Sequence, residues 1–357
     1  MKLSSLIIAM ALLAIVLMFY LFSNSEDIVK LADNFLLSKL SLDLEQKIGQ
    51  LFVIGFEGKE LTEDIKSMVK ELHPGGILLL GWNIEDGAKL LKLTDGLQQL
   101  ALQDTGVPLF IAVDQEGGEI NRISFLQEQT AQTVLRDSEA AFVVGVGRGQ
   151  ELKKFGITLN LAPLLDQTQS GDFIHNRCFQ QEQQNAGDLA KNLISGQKMA
   201  GIFTAVKHFP GYGGIVFNPE EKLAVVERMP EIGLFRESVD AKPEMVMTAN
   251  VVYKDIDETL PFTFSKKGID FLKSELGGDI LIISDDLDQN SLLDEYGLED
   301  IVSLPIEAGV DILIFSGWRL PAEDGVRALI GAVKSGRISE AMVDQSASKI
   351  IKLKMNF

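Results

Sequence analysis

Eight apolar runs alternating with helix-length segments predict an α/β chain folded as a single (β/α)8 barrel. The runs occupy residues 51–56, 75–81, 108–114, 158–166, 202–209, 244–250, 279–286 and 310–317. Each is continuously apolar rather than alternating, as parallel strands buried on both faces must be. Segments between them, such as 87–105 and 183–200, have helical length and apolar spacing. Several runs also close on charged residues, and barrel enzymes keep their chemistry at the carboxyl ends of their strands.

The N-terminus stands apart from this pattern. After Lys2, residues 4–25 carry no charge and residues 6–22 are almost wholly apolar. As a helix that apolar stretch spans about 25 Å, slightly under the hydrocarbon core. Lys2 before it and Glu26-Asp27 after it favour an exported body. Residues 1–25 therefore read as a membrane anchor, or as a signal segment cleaved near Ser23-Asn24-Ser25. Residues 26–40 follow as a tether and 41–357 as the barrel, with its last helix over 339–354.

Composition narrows the function. A barrel uses about 250 residues or more as one domain, and the chain has 357 residues, 46% of them hydrophobic. A net charge of −18 excludes a nucleic-acid binder, which needs a basic face. The lone Cys178 excludes an internal disulfide and a lipidated cysteine after the leader. Three scattered histidines without a cysteine cluster argue against zinc, and no metal or cofactor is expected. A monomer is expected.

The strand ends carry complementary charges. The third run ends at Asp114, followed by Gln115-Glu116-Gly117-Gly118. The fourth ends at Asp166, with His175-Asn176-Arg177 in the loop beyond it. The fifth ends in Lys207-His208 and must stop at Pro210, which has no N–H for the ladder. Gly211, Gly213 and Gly214 then permit a tight, exposed loop. The sixth run ends at Asn250 and the seventh at Ser284-Asp285-Asp286. Carboxylates interleaved with Lys, Arg and His suit a small polyhydroxylated ligand, because each hydroxyl both donates and accepts.

Residues 41–58, the runs at 114–118 and 161–166, Asn176-Arg177-Cys178-Phe179, Lys207-His208-Phe209-Pro210-Gly211 and Ser284-Asp285-Asp286-Leu287 together resemble glycoside hydrolase family 3. The nearest subgroup is the single-barrel β-N-acetylglucosaminidases of bacterial cell-wall turnover, and the resemblance covers residues 41–357. It implies a retaining exo-glycosidase acting on a terminal N-acetylhexosamine, with Asp285 as nucleophile. It implies sugar-binding roles for Asp114, Arg177, Lys207 and His208. On its strand Asp286 alternates with Asp285, so an outer-face position is expected for it.

The sequence departs from the family pattern in one loop. The subgroup continues its Lys-His-Phe-Pro-Gly motif with His-Gly-Asp-Thr and then Asp-Ser-His, whose aspartate and histidine form the acid/base. Here Asn218, Pro219 and Glu220 occupy the Asp-Ser-His positions, Tyr212 replaces a histidine and Gly214 an aspartate. Asn250 stands for a family histidine and Glu119 for an arginine. Glu220 is the remaining candidate for the proton donor, since a buried carboxylic acid can serve. The alternative is an impaired homologue that binds sugars or a protein partner.

Weaker features are read as structural. His73, before Pro74, is a turn residue at the amino face. His175 is a candidate lining residue beside Arg177. The glycines at 145, 147 and 149 read as helix packing rather than a phosphate loop. Trp82 and Trp318, after the second and eighth runs, either stack on a sugar or cover the rim.

Overall fold

The computed structural model describes residues 40–180 and 183–355. The expected anchor, and all of the tether but residue 40, lie outside the described residues. Among the described residues no helix is long and apolar enough to cross a membrane.

All eight apolar runs become parallel strands of one closed barrel. They are β1 (Phe52–Ile54), β2 (Gly76–Leu79), β3 (Phe110–Val113), β4 (Leu159–Asn160), β5 (Phe203–Phe209), β6 (Met245–Thr248), β7 (Leu281–Asp286) and β8 (Ile312–Phe315). Each pairs with its sequence neighbours, and β8 closes on β1 through Phe52 opposite Leu313. Burial on both faces accounts for the unbroken apolar runs. The fourth run is paired least, with only Leu159–Asn160 in the ladder and an isolated bridge from Leu164 to Lys207. Pro163 interrupts it, because proline donates no ladder hydrogen bond.

Helices α1 (Leu44–Gln50), α2 (Glu63–Leu72), α3 (Gly87–Asp104), α4 (Ser138–Lys154) and α5 (Gln183–Met199) cover the first half of the barrel. Side-chain caps start four of them: Asp43, Thr62, Asp86 and Asp137 each accept a first-turn backbone N–H. His73 ends α2 in the left-handed conformation, φ 50°, with Nδ1 at 2.5 Å from Asp104. It is the turn residue that its place before Pro74 suggests. The second half carries α6 (Gly233–Ser238), α7 (Lys266–Leu276), α8 (Asn290–Leu293), α9 (Leu298–Ala308), α10 (Ala322–Lys334) and α11 (Glu340–Met355).

The glycines at 145, 147 and 149 lie inside α4, so they cannot form a phosphate loop. Two of them form a seam with α5. A Cβ on Gly145 would sit 2.3 Å from the Leu193 carbonyl oxygen, and one on Gly149 would sit 2.7 Å from Ala200 Cβ. Gly147 has room, with Glu128 Cγ 3.7 Å away.

Alanine is favoured over glycine in a helix by about 1 kcal/mol, so the three positions should separate. Gly147→Ala is expected to raise the melting temperature. Gly145→Ala is expected to lower it, because a backbone carbonyl must move and such overpacking costs about 1–3 kcal/mol. Equal shifts in thermal unfolding would contradict this seam.

Candidate active site

Lys207, at the carboxyl end of β5, is 2% exposed and sits between two carboxylates. Its Nζ is 2.6 Å from Asp114 Oδ1 and 2.7 Å from Glu116 Oε1. Glu116 is held in turn by a bidentate grip from Arg177, with Nε and Nη2 donating at 3.0 and 2.8 Å. Arg122 Nη2 lies 3.8 Å from Asp114 Oδ2. Besides β5 and the end of β3, two elements supply these groups. The short hairpin of Gln115–Gly117 and Ile120–Asn121 brings Glu116 and leads into Arg122, and the 3-10 turn His175–Arg177 brings Arg177.

The charges outweigh the burial. Burial works to raise the Asp114 carboxyl, but Lys207 and Arg122 hold it at about 2. Glu116 is lowered in the same way, against burial, by Lys207 and Arg177. Burial opposes the charged form of Lys207, and the two carboxylates push its pKa up nonetheless.

A second network lies beside the first. Asp166 Oδ2 is 3.1 Å from His208 Nδ1 and accepts the His208 backbone N–H at 3.1 Å, while Oδ1 accepts the Tyr212 N–H at 2.8 Å. Burial works to raise Asp166, and His208 and the Tyr212 amide bring it below its ordinary value. The Tyr212 ring packs against His208 at 4.7 Å, and its hydroxyl donates to Asp285 Oδ2 at 2.5 Å. Asp285 Oδ1 accepts the Asp286 N–H at 2.7 Å. Burial, then the Asp285 charge, pushes the Tyr212 phenol well above its usual pKa, so it remains a donor.

Asp114, Arg177, Lys207, His208, Glu220 and Asp285 all line one cavity of about 160 Å³ at the carboxyl ends of the strands. Glu220 reaches it on the loop of residues 211–223. That loop is not uniformly exposed as its glycines suggest, for Gly211 and Tyr212 are buried. It is also fastened at its far end. The Glu220 carbonyl accepts the Ser291 N–H at 3.0 Å, and the Glu221 carboxylate meets Asn290 Nδ2 and Arg319 Nη2, each at 2.7 Å. Burial raises the Glu220 pKa and the Asp285 charge adds to the rise, against Arg177 and His208.

Two expectations need correction. Asp286 is not turned to the outer face; it lines the cavity with Asp285, because the pairing of β7 with β8 shifts register between Ile283 and Asp286. Its Oδ1 accepts backbone N–H groups from Asp288 and Ser316 at 3.0 and 3.1 Å. Burial lifts its pKa to about 7. His175 does not line the cavity, since its Nδ1 meets the Thr168 hydroxyl at 3.0 Å. Next to Arg177, the buried Cys178 thiol donates to the Ile174 carbonyl, and burial pushes its pKa up.

Glu116, Arg122 and Tyr212 line the cavity as well, beyond the residues that the sequence nominates. Glu116 stands two residues after Asp114, the spacing that returns a side chain to the same face of an extended segment. Nothing in the sequence marks Arg122. Tyr212 shows only as a departure from the family motif.

The family model of the glycosyl hydrolase family 3 N-terminal domain matches residues 43–353. The chain belongs to glycosyl hydrolase family 3. Among its relatives, the beta-hexosaminidase of Nitrosomonas eutropha is 28% identical over 322 residues, which cover 84% of this chain and 91% of that protein. Beta-hexosaminidase A of Pseudoalteromonas piscicida is 26% identical over 89% of this chain, which spans 62% of that protein's length. Among solved structures, the family 3 beta-N-acetylglucosaminidase of a Paenibacillus species matches with a TM-score of 0.83 at 33% identity. That match covers 88% of this chain and 62% of the other. The chain is thus a glycoside hydrolase barrel of family 3.

Removing Lys207 leaves two buried carboxylates short of a partner. Lys207→Met is expected to cost about 3–5 kcal/mol in denaturant unfolding at pH 7. The Asp114 value of about 2 lies below the roughly 3.9 of an unfolded aspartate. Asp114 therefore stabilises the fold at neutral pH, and that contribution fades as pH falls from about 4 to about 2. Asp114→Asn is expected to be less stable at pH 7 and to lose less stability than the parent over that acid interval.

Proposed function

We propose that this family 3 chain is a retaining exo-glycosidase that removes terminal β-linked N-acetylhexosamine from cell-wall or chitin-type saccharides. The observation that carries the reading is the Asp285 carboxylate in a cavity it shares with Lys207, Arg177, His208 and Glu220. At about 160 Å³ that cavity is smaller than the roughly 300–1,000 Å³ of common ligand pockets. It suits one pyranose ring taken from a chain end. The N-acetyl group rests on the family resemblance and on the names of the relatives.

In this mechanism an Asp285 oxygen attacks the anomeric carbon. The bond to the leaving oxygen breaks as Glu220 gives that oxygen its proton, and a glycosyl ester remains on Asp285. Water then attacks the same carbon, Glu220 takes the water's proton, and the ester bond breaks to restore the carboxylate. Burial and the Asp285 charge both raise the Glu220 pKa, in the direction a proton donor needs. The Tyr212 hydroxyl orients the nucleophile. Each Asp285 oxygen accepts one hydrogen bond and keeps a second lone pair for attack. Asp114, Arg177, Lys207 and His208 offer donors and acceptors to the sugar hydroxyls. The cavity is complete within one chain, which supports a monomer. The uncharged stretch at residues 4–25 supports export of the barrel, either anchored or released by cleavage.

A second reading has its own observation. Glu220 keeps part of its side chain in solvent, and its own loop carries no histidine to shuttle a proton. A chain of this kind would bind the sugar and turn it over slowly.

Two measurements separate the readings. Asp285→Asn is expected to abolish release of the aryl group from an activated aryl β-N-acetylglucosaminide. Glu220→Ala is expected to lose about 10²–10⁴-fold on unactivated substrates, and added azide is expected to restore its rate on the activated one. A Glu220→Ala variant whose rate ignores azide would remove Glu220 from the mechanism. A parent enzyme no faster than Asp285→Asn would establish the binding reading.

A further inference from the structure

Two tryptophans stand on the barrel rim beside the cavity. Trp82 follows β2 and Trp318 follows β8, on either side of the loop that leaves β1. They are 38% and 66% exposed, a large apolar area to leave in water without a use. Their rings meet edge to face, at 90° with centroids 5.5 Å apart, and make a corner. A recess lined by Glu57, Gly58, Trp82, Gly317 and Trp318 opens onto this corner. Trp318 also lines the catalytic cavity, so the two spaces share a wall.

The corner is held from behind. Trp82 Nε1 donates to the Phe56 carbonyl at 3.2 Å. Asn83 Nδ2 donates to the carbonyls of Phe56 and Gly58 at 2.8 and 2.7 Å, which pins the β1 loop beneath the ring. The Arg319 guanidinium lies 5.6 Å from the Trp318 ring centre. It is fixed by Glu221, and the Arg319 N–H donates to Asp288 at 2.7 Å. Surfaces set in place before binding lose little freedom when a ligand arrives.

We propose that the Trp82–Trp318 corner binds the sugar ring on the leaving side of the scissile bond, a neutral pyranose of a β-linked saccharide. This rests on the glycosidase reading of the cavity. A pocket that admits one ring sends the rest of the saccharide out over its rim, and Trp318 forms that rim. A pyranose has an apolar C–H face for an indole and a ring of hydroxyls for an acceptor such as Glu57. Glu57 and the overall charge of −18 disfavour an anionic ring.

The test uses the full chain carrying Asp285→Asn, so that ligand survives, with calorimetric titration of N-acetylglucosamine and of its β-1,4-linked disaccharide. The disaccharide is expected to bind more tightly. Adding Trp82→Ala is expected to cut the disaccharide affinity by about three- to tenfold while the monosaccharide affinity holds, and Trp82→Phe to keep most of it. An unchanged ratio of the two affinities, or an equal loss for both sugars, would overturn the subsite and leave the cavity reading standing. If the parent bound neither sugar, the cavity reading would fail and the subsite with it.

Discussion

One buried ammonium organises the mouth of this barrel. Lys207 is almost wholly buried and takes its stabilisation from Asp114 and Glu116, which come from a different strand end and the hairpin beyond it. Arg177, from the loop beyond β4, completes the arrangement through Glu116. None of these charges could be buried alone without a large desolvation cost. Together they fix the end of β5, the hairpin beyond β3 and the 3-10 turn beyond β4 to one point and leave hydrogen-bonding groups facing the cavity. The rigidity needed to hold a sugar therefore comes from groups that must pair for the chain to fold.

The scaffold was legible because its signal is redundant. Every apolar run became a strand, since burial on both faces writes itself into consecutive residues. Pro210 ended β5 for the stated reason, while Pro163 shortened β4 below its apolar run. Side-chain directions at the strand ends were harder. The alternation rule sent Asp286 outward, and the register shift between β7 and β8 returned it to the cavity. Nearness to Arg177 suggests a site position for His175, yet one turn of 3-10 helix is enough to aim side chains two residues apart in different directions. Glu116, Arg122 and Tyr212 act through contacts between distant segments, which local pattern does not encode.

Apart from Glu119, which sits in the hairpin between Glu116 and Arg122, the departures from the family motif lie in the loop of Glu220 and beside Asp285. Tyr212 stands where the motif has a histidine, and it hydrogen-bonds to Asp285. Asn250 stands for another histidine, and its backbone N–H supports the Tyr212 hydroxyl at 3.3 Å. The two replacements are thus in contact and read as one rearrangement. The loop carrying Glu220 is tied to α8 and to Arg319, and Arg319 packs on Trp318. The proton-transfer candidate and the aromatic rim share a support.

Cys178, the one cysteine of the sequence, has a practical meaning. Its thiol is buried, bonded to a carbonyl and kept protonated by that burial. A protonated, inaccessible sulfur neither attacks disulfides nor is attacked by oxidants. With a single cysteine, the chain forms no internal disulfide. A cysteine introduced at the loop tip would be the one reactive thiol among the described residues, ready to carry a fluorophore at the mouth of the cavity.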